Sequence, residues 1–151
     1  MTDNKTLLEA CEQLTHAAYW YAQEVIGVED GGYASIFDCE TGGKFGGNFA
    51  DRVGGDVLAR IQDKVGEEAF AAKAGGLFDM NLMPGISVRV ETADAGEIDT
   101  GAAEVAECVI GHLRRVFPAV DVLTDGDRQN IREFMREYMS AELRMANSFS
   151  L

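Results

Sequence analysis

Asp38 and Glu40 have the spacing in this 151-residue chain that most suggests chemistry. They lie in Ile36-Phe37-Asp38-Cys39-Glu40-Thr41-Gly42, where the apolar stretch Tyr33–Phe37 runs into two acids at i and i+2. Residues two apart on a strand share a face. Both carboxylates would then open on one cavity and hold Mg²⁺ or Mn²⁺ through oxygen. Two turn acids closing a hairpin satisfy the same pattern with no chemistry at all.

The Asp-x-Glu-Thr run after an apolar stretch resembles the first motif of the DnaQ-like exonucleases. The resemblance implies a divalent-metal-dependent exonuclease with Asp38 and Glu40 as ligands. It covers seven residues. That family also needs later acids and a histidine shortly before the last of them. Here Phe78-Asp79 is a poor second motif, His112 stands nine residues before Asp121, and a long helix precedes the first strand. The nuclease is therefore the alternative and not the first choice.

Other catalytic or metal-binding patterns fail on inspection. Gly42-Gly43-Lys44 is followed by Phe45 instead of Ser or Thr, and Asp38 occupies the first glycine position of a phosphate loop. The run Asp121 to Arg132 has Asp125-Gly126 where a calcium loop wants them, but Leu123 and Arg132 supply no oxygen. Cys11, Cys39 and Cys108 are far apart, and with His16 and His112 they form no zinc motif. They read as free thiols, which together with the absence of an apolar leader points to the reducing cytoplasm. No metal and no cofactor are expected, and no apolar run is long enough for a membrane span.

Charge is the strongest compositional signal. The net charge is −13, and all of the excess falls in two segments. Residues 1–43 carry eight acids against Lys5 alone. Residues 91–113 carry Glu91, Asp94, Glu97, Asp99, Glu104 and Glu107 with no lysine or arginine, while the remaining segments balance. Such a field repels nucleic acid and attracts basic partners. Arg128, Arg132 and Arg136 recur every four residues as a basic ridge. They fit either an internally paired face, docked on the acidic first helix, or a contact for an acidic partner or a second copy of the chain.

Position along the chain must decide which of these groups can meet. Leu7, Cys11, Leu14, Ala18, Tyr21 and Val25 recur at helical spacing. Thr6 and Glu9 form a capping box for that helix, Gly27 ends it, and Trp20 lies beside Gln13 and Glu24, away from the seam. Strands are expected at Tyr33–Phe37, around Phe45, at Leu77–Leu82 and at Ile86–Val90. The last of these alternates apolar and polar residues. Residues 48–65 read as a helix carrying Phe49, Val53, Val57, Leu58 and Ile61 on one side, with Gly54-Gly55 set to kink or split it. A short helix follows to Ala74. Thr92–Thr100 reads as a solvated acidic loop that adds little to folding, and Ala102–Phe117 as a helix. Thr124 with Asp127 opens a final helix striped by Ile131, Phe134, Met135, Tyr138 and Met145.

The expected architecture is α+β: one helix-rich domain over residues 1–151 with a small antiparallel or mixed sheet. Its order is roughly α-β-β-α-α-β-β-α-α. The opening helix and Gly-rich hairpin resemble, in topology, profilin-like sensor folds such as GAF or roadblock domains, which would make the chain a small-ligand sensor or scaffold. The preferred expectation is a non-enzymatic acidic protein that binds a basic protein surface. In its most concrete form this is a phage or mobile-element inhibitor that mimics nucleic-acid charge on a nucleic-acid-binding enzyme. The expected contact residues are Glu91, Asp94, Glu97, Asp99 and Glu104, with Trp20 and Glu24 on the first helix. No direct nucleic-acid or membrane contact is expected.

Overall fold

Alanines at positions 10, 17, 18 and 22 are fully buried on the first helix, interspersed with the larger Leu7, Leu14, Tyr21 and Val25 on the same face. In the computed structural model, which describes residues 4–27, 49–74, 77, 89–92, 94–118 and 123–149, this helix, α1, spans Asn4–Ile26. It is followed by a π-helical turn at Ala50–Gly54, α2 (Gly55–Val65), α3 (Glu67–Ala74), α4 (Ala95–Val116) and α5 (Asp125–Phe149). Helix α1 touches each of the other four, and α4 with α5 form the most extensive pair.

No strand occurs among the described residues, so the α+β expectation is overturned in favour of a helical fold. The expected strands at Tyr33–Phe37 and Phe45 lie outside those residues. Of Leu77–Leu82 only Leu77 is described, buried in a single 3₁₀ turn. Of Ile86–Val90 only Arg89 and Val90 are described, and they are not a strand. The burial of Val90 has another cause. Its N–H donates to the Val25 carbonyl at 2.9 Å, so it caps α1 where a strand residue would pair with another strand. The Gly-rich hairpin on which the profilin-like resemblance rests lies outside the described residues.

The expected seam of α1 is buried throughout. The helix starts at Asn4, however, so Thr6 lies inside it and not at its cap. Gly27 closes it at φ 67°, a conformation that favours glycine, and donates to the Gln23 carbonyl at 2.8 Å. Phe49, Val53, Val57, Leu58 and Ile61 are also buried, and the chain is split at Gly54-Gly55 by the change from π-turn to α-helix. The π-turn docks on α5. Arg52 pairs with Glu137 at 2.8 Å and lies 5.1 Å from the centre of the Phe134 ring.

Aromatic rings join the helices across the core. Phe134 meets Tyr19 and Phe49 edge-on at 6.0 and 5.4 Å, and Phe70 stacks on Phe117 at 5.6 Å. Tyr19 and Tyr138 meet at 4.7 Å, and the Tyr138 hydroxyl accepts from Gln23 at 3.1 Å. In α5 the predicted stripe residues Ile131, Phe134 and Met135 are buried, and Tyr138 packs against the core.

Candidate functional site

The acidic segment expected as a loop is instead the start of α4, which begins at Ala95. Two of its acidic side chains build that start. Asp94 is the N-cap, accepting from the Gly96 and Glu97 N–H groups at 3.1 and 3.2 Å. Glu97 folds back to accept from Glu91 N–H at 3.2 Å and from the Thr92 hydroxyl at 2.6 Å. Together they satisfy backbone donors that a helix start otherwise leaves open, and they put negative charge at the positive end of the helix dipole. The carboxylates of Asp94 and Glu97 are therefore structural, contrary to the expectation that they add little to folding.

One turn on, Asp99 faces α5. Arg132 donates to both of its oxygens, from Nε at 3.2 Å and Nη2 at 2.5 Å, and Arg136 adds a third bond at 2.9 Å. Hydrogen bonding from Arg132, and then the charges of Arg132 and Arg136, outweigh burial and hold the Asp99 carboxyl below its ordinary range. Farther along, Glu107 accepts from Arg128 Nε at 2.5 Å. The arginine ridge is thus internally paired, on α4 and not on α1. Glu104 is half-buried beside Cys108, whose thiol burial pushes up to about 11, with the Glu104 charge adding to the effect. Such a thiol is a poor nucleophile at neutral pH.

A further pair fixes the start of α5. Thr124 N–H donates to the Asp127 carboxylate at 2.8 Å, and Asp127 N–H donates to the Thr124 hydroxyl at 3.1 Å. This is the reciprocal capping box expected from the sequence. Asp127 is buried, which alone would raise its pKa. Hydrogen bonds from Arg60 and from the Thr124 N–H prevail and lower it.

The first acidic segment is arranged differently. Glu9, Glu12 and Glu24 are exposed on α1, and among the described residues they make no ion pair or hydrogen bond. Trp20 is half-buried, edge-on to Tyr21 at 5.4 Å. Glu9 and Glu12, with Thr6 and Gln13, form one wall of a groove of about 370 Å³ against Ala71 and Ala74 of α3. Neither Glu9 nor Glu12 was among the expected contact residues. Their i, i+3 spacing on the polar face of α1 was the available signal. The Val25–Val90 bond brings Glu24 and Glu91 to one end of the bundle, with Glu9 and Glu12 toward the other.

Asp38 and Glu40, the candidate metal ligands, lie outside the described residues, as does Cys39. Among the described residues no three His, Cys, Asp or Glu side chains are placed to hold a metal ion. His112 is fully buried with Nε2 2.9 Å from the Leu77 carbonyl, which makes it a bridge between α4 and the turn at Leu77. Among the described residues no helix is long and apolar enough to cross a membrane. No protein-family model, curated protein or solved structure matches the chain.

Proposed function

We propose that this chain is an acidic interaction protein that binds a basic protein surface. The observation that carries the proposal is the set of exposed carboxylates Glu9, Glu12 and Glu24, in a stretch with no lysine or arginine between Lys5 and Lys44. Among the described residues no cation pairs with them, and unpaired carboxylates keep their field for a partner. Long-range attraction of this kind acts mainly on the association rate.

Affinity capture from the source cells, followed by association kinetics over a salt series, tests the proposal. The captured partner should present a lysine- or arginine-rich face, and association should slow as the Debye length shrinks from about 30 Å to about 8 Å. A partner with a neutral or acidic face, or a rate indifferent to salt, overturns it. Displacement of the protein by DNA would narrow the partner to a nucleic-acid-binding enzyme, as the charge-mimic expectation requires.

A further inference from the structure

The acids of α1 and α4 differ in what they are free to do. Asp94 and Glu97 cap a helix, Asp99 and Glu107 are held by arginines, and Glu104 lies against Cys108. Among the described residues Glu9, Glu12 and Glu24 have no such commitment. Among the described acids of these two segments, the uncommitted carboxylates are therefore Glu9, Glu12 and Glu24 on α1 and Glu91 before α4, so most of the field open to a partner lies on α1 and not on the α4 segment that the sequence favoured.

The open face of α1 also offers apolar contact. At 100° per residue, Glu9, Glu12, His16, Trp20 and Glu24 fall within about 120° of the helix, with Leu8 at the edge of that side and the buried Tyr19 and Gln23 on the arc near Glu12. Neither those five residues nor Leu8 are buried, whereas the opposite side is buried throughout. Leu8, 42% exposed, is the exposed large hydrophobe among the described residues, at the edge of this side, and Trp20 is half-buried about 120° round the helix from it. Tryptophan often anchors protein interfaces. The groove adds a shape: the small side chains of Ala71 and Ala74 face Glu9 and Glu12. A lysine or arginine stem can lie along such methyl groups while its charged head reaches the carboxylates.

We infer that this face of α1 receives an amphipathic helix whose apolar stripe is flanked by lysine or arginine. The inference rests on the function proposed above and names its contact face and the chemistry of its partner. Glu9 and Glu24 are about 22 Å apart along the axis at 1.5 Å per residue, so the matching partner helix has about four turns. Helical occupancy follows from the i, i+3 spacing of Glu9 and Glu12, which basic residues one turn apart on a partner helix would match.

The probe is a synthetic amphipathic helical peptide of about four turns, with leucines on one side and lysines flanking them. A second peptide has the same composition with a central proline, which breaks the helix. Trp20 is the single tryptophan of the chain, so its emission reports contact on this face. The helical peptide should bind, shift the Trp20 emission, and bind about tenfold more weakly to a Glu9→Gln, Glu12→Gln, Glu24→Gln variant. A variant with equal loss of charge elsewhere, Asp63→Asn, Asp125→Asn, Glu133→Gln, should bind within about threefold of wild type. Far-UV circular dichroism confirms that both variants are folded. Binding with unchanged Trp20 emission, equal losses in both variants, or equal affinity for the proline peptide overturns the inference and leaves the proposed function standing. Failure of the wild type to bind either peptide, together with capture of an acidic-faced partner, removes both.

Discussion

Asp99 and Arg132, thirty-three residues apart, form a two-pronged pair that joins the first turns of α4 to the first third of α5. Arg136 closes on the same carboxylate, so one acid orients two residues of the basic ridge. Replacing Asp99 with Asn keeps the shape but removes the charge that both guanidiniums share. The urea midpoint should fall measurably, and Asp99→Asn with Arg132→Gln should cost less than the sum of the single changes. Glu91→Gln, whose side chain holds no arginine, should leave the midpoint unchanged.

Acid should expose the same contacts. Asp99 and Asp127 are both held below the ordinary carboxylate range in the folded state. Their contribution is complete above the unfolded value of about 3.9 and is lost as pH falls through the lower folded values. An Asp99→Asn, Asp127→Asn variant should start less stable at neutral pH. Below about pH 4 its stability should decline less steeply than that of the wild type. Parallel declines in thermal midpoints measured between pH 7 and pH 2 would show that neither carboxylate is held as described.

Removing the α4 cap should be felt as well. Asp94→Ala frees the Gly96 and Glu97 N–H groups and should cost about 0.5–2 kcal/mol in denaturant unfolding. A solvated loop acid would cost close to nothing.

Gly101 marks a close approach of four chain segments. A Cβ there would lie 2.5 Å from Val90 Cγ2, 3.0 Å from Val25 Cγ1 and 3.1 Å from Met139 Cε. In an exposed helix Gly→Ala stabilises by about 1 kcal/mol. At this position overpacking should outweigh that gain, with a net loss of about 1–3 kcal/mol. A rise in the unfolding midpoint of Gly101→Ala would contradict the packing of α1, α4 and α5 around Val90.

Phe134 is buried where α1, the π-turn and α5 meet, against Tyr19, Phe49 and Arg52. Phe134→Ala should cost roughly 3–5 kcal/mol, measured by urea unfolding. A loss below about 1 kcal/mol would place α5 outside the core.

What could be read along the chain is what neighbours within a turn decide. The seam of α1, its stop at Gly27, the buried side of residues 49–61 and the Thr124–Asp127 box all depend on groups three or four residues apart, so periodicity and capping chemistry reveal them. Tertiary packing decided the remainder. Thr92–Thr100 looks like a loop because Gly96 and crowded carboxylates weaken a helix locally. It becomes helical from Ala95 because Asp94 caps it, Ile98 is buried, and Gly101 admits Val25, Val90 and Met139. The alternation at Ile86–Val90 suggested a strand, yet Val90 is buried because it fits between helices and bonds the end of α1. Nor could composition say which acids were free. Asp99 and Glu9 carry the same charge, and only the docking of α5 against α4 neutralises one of them and leaves the other exposed.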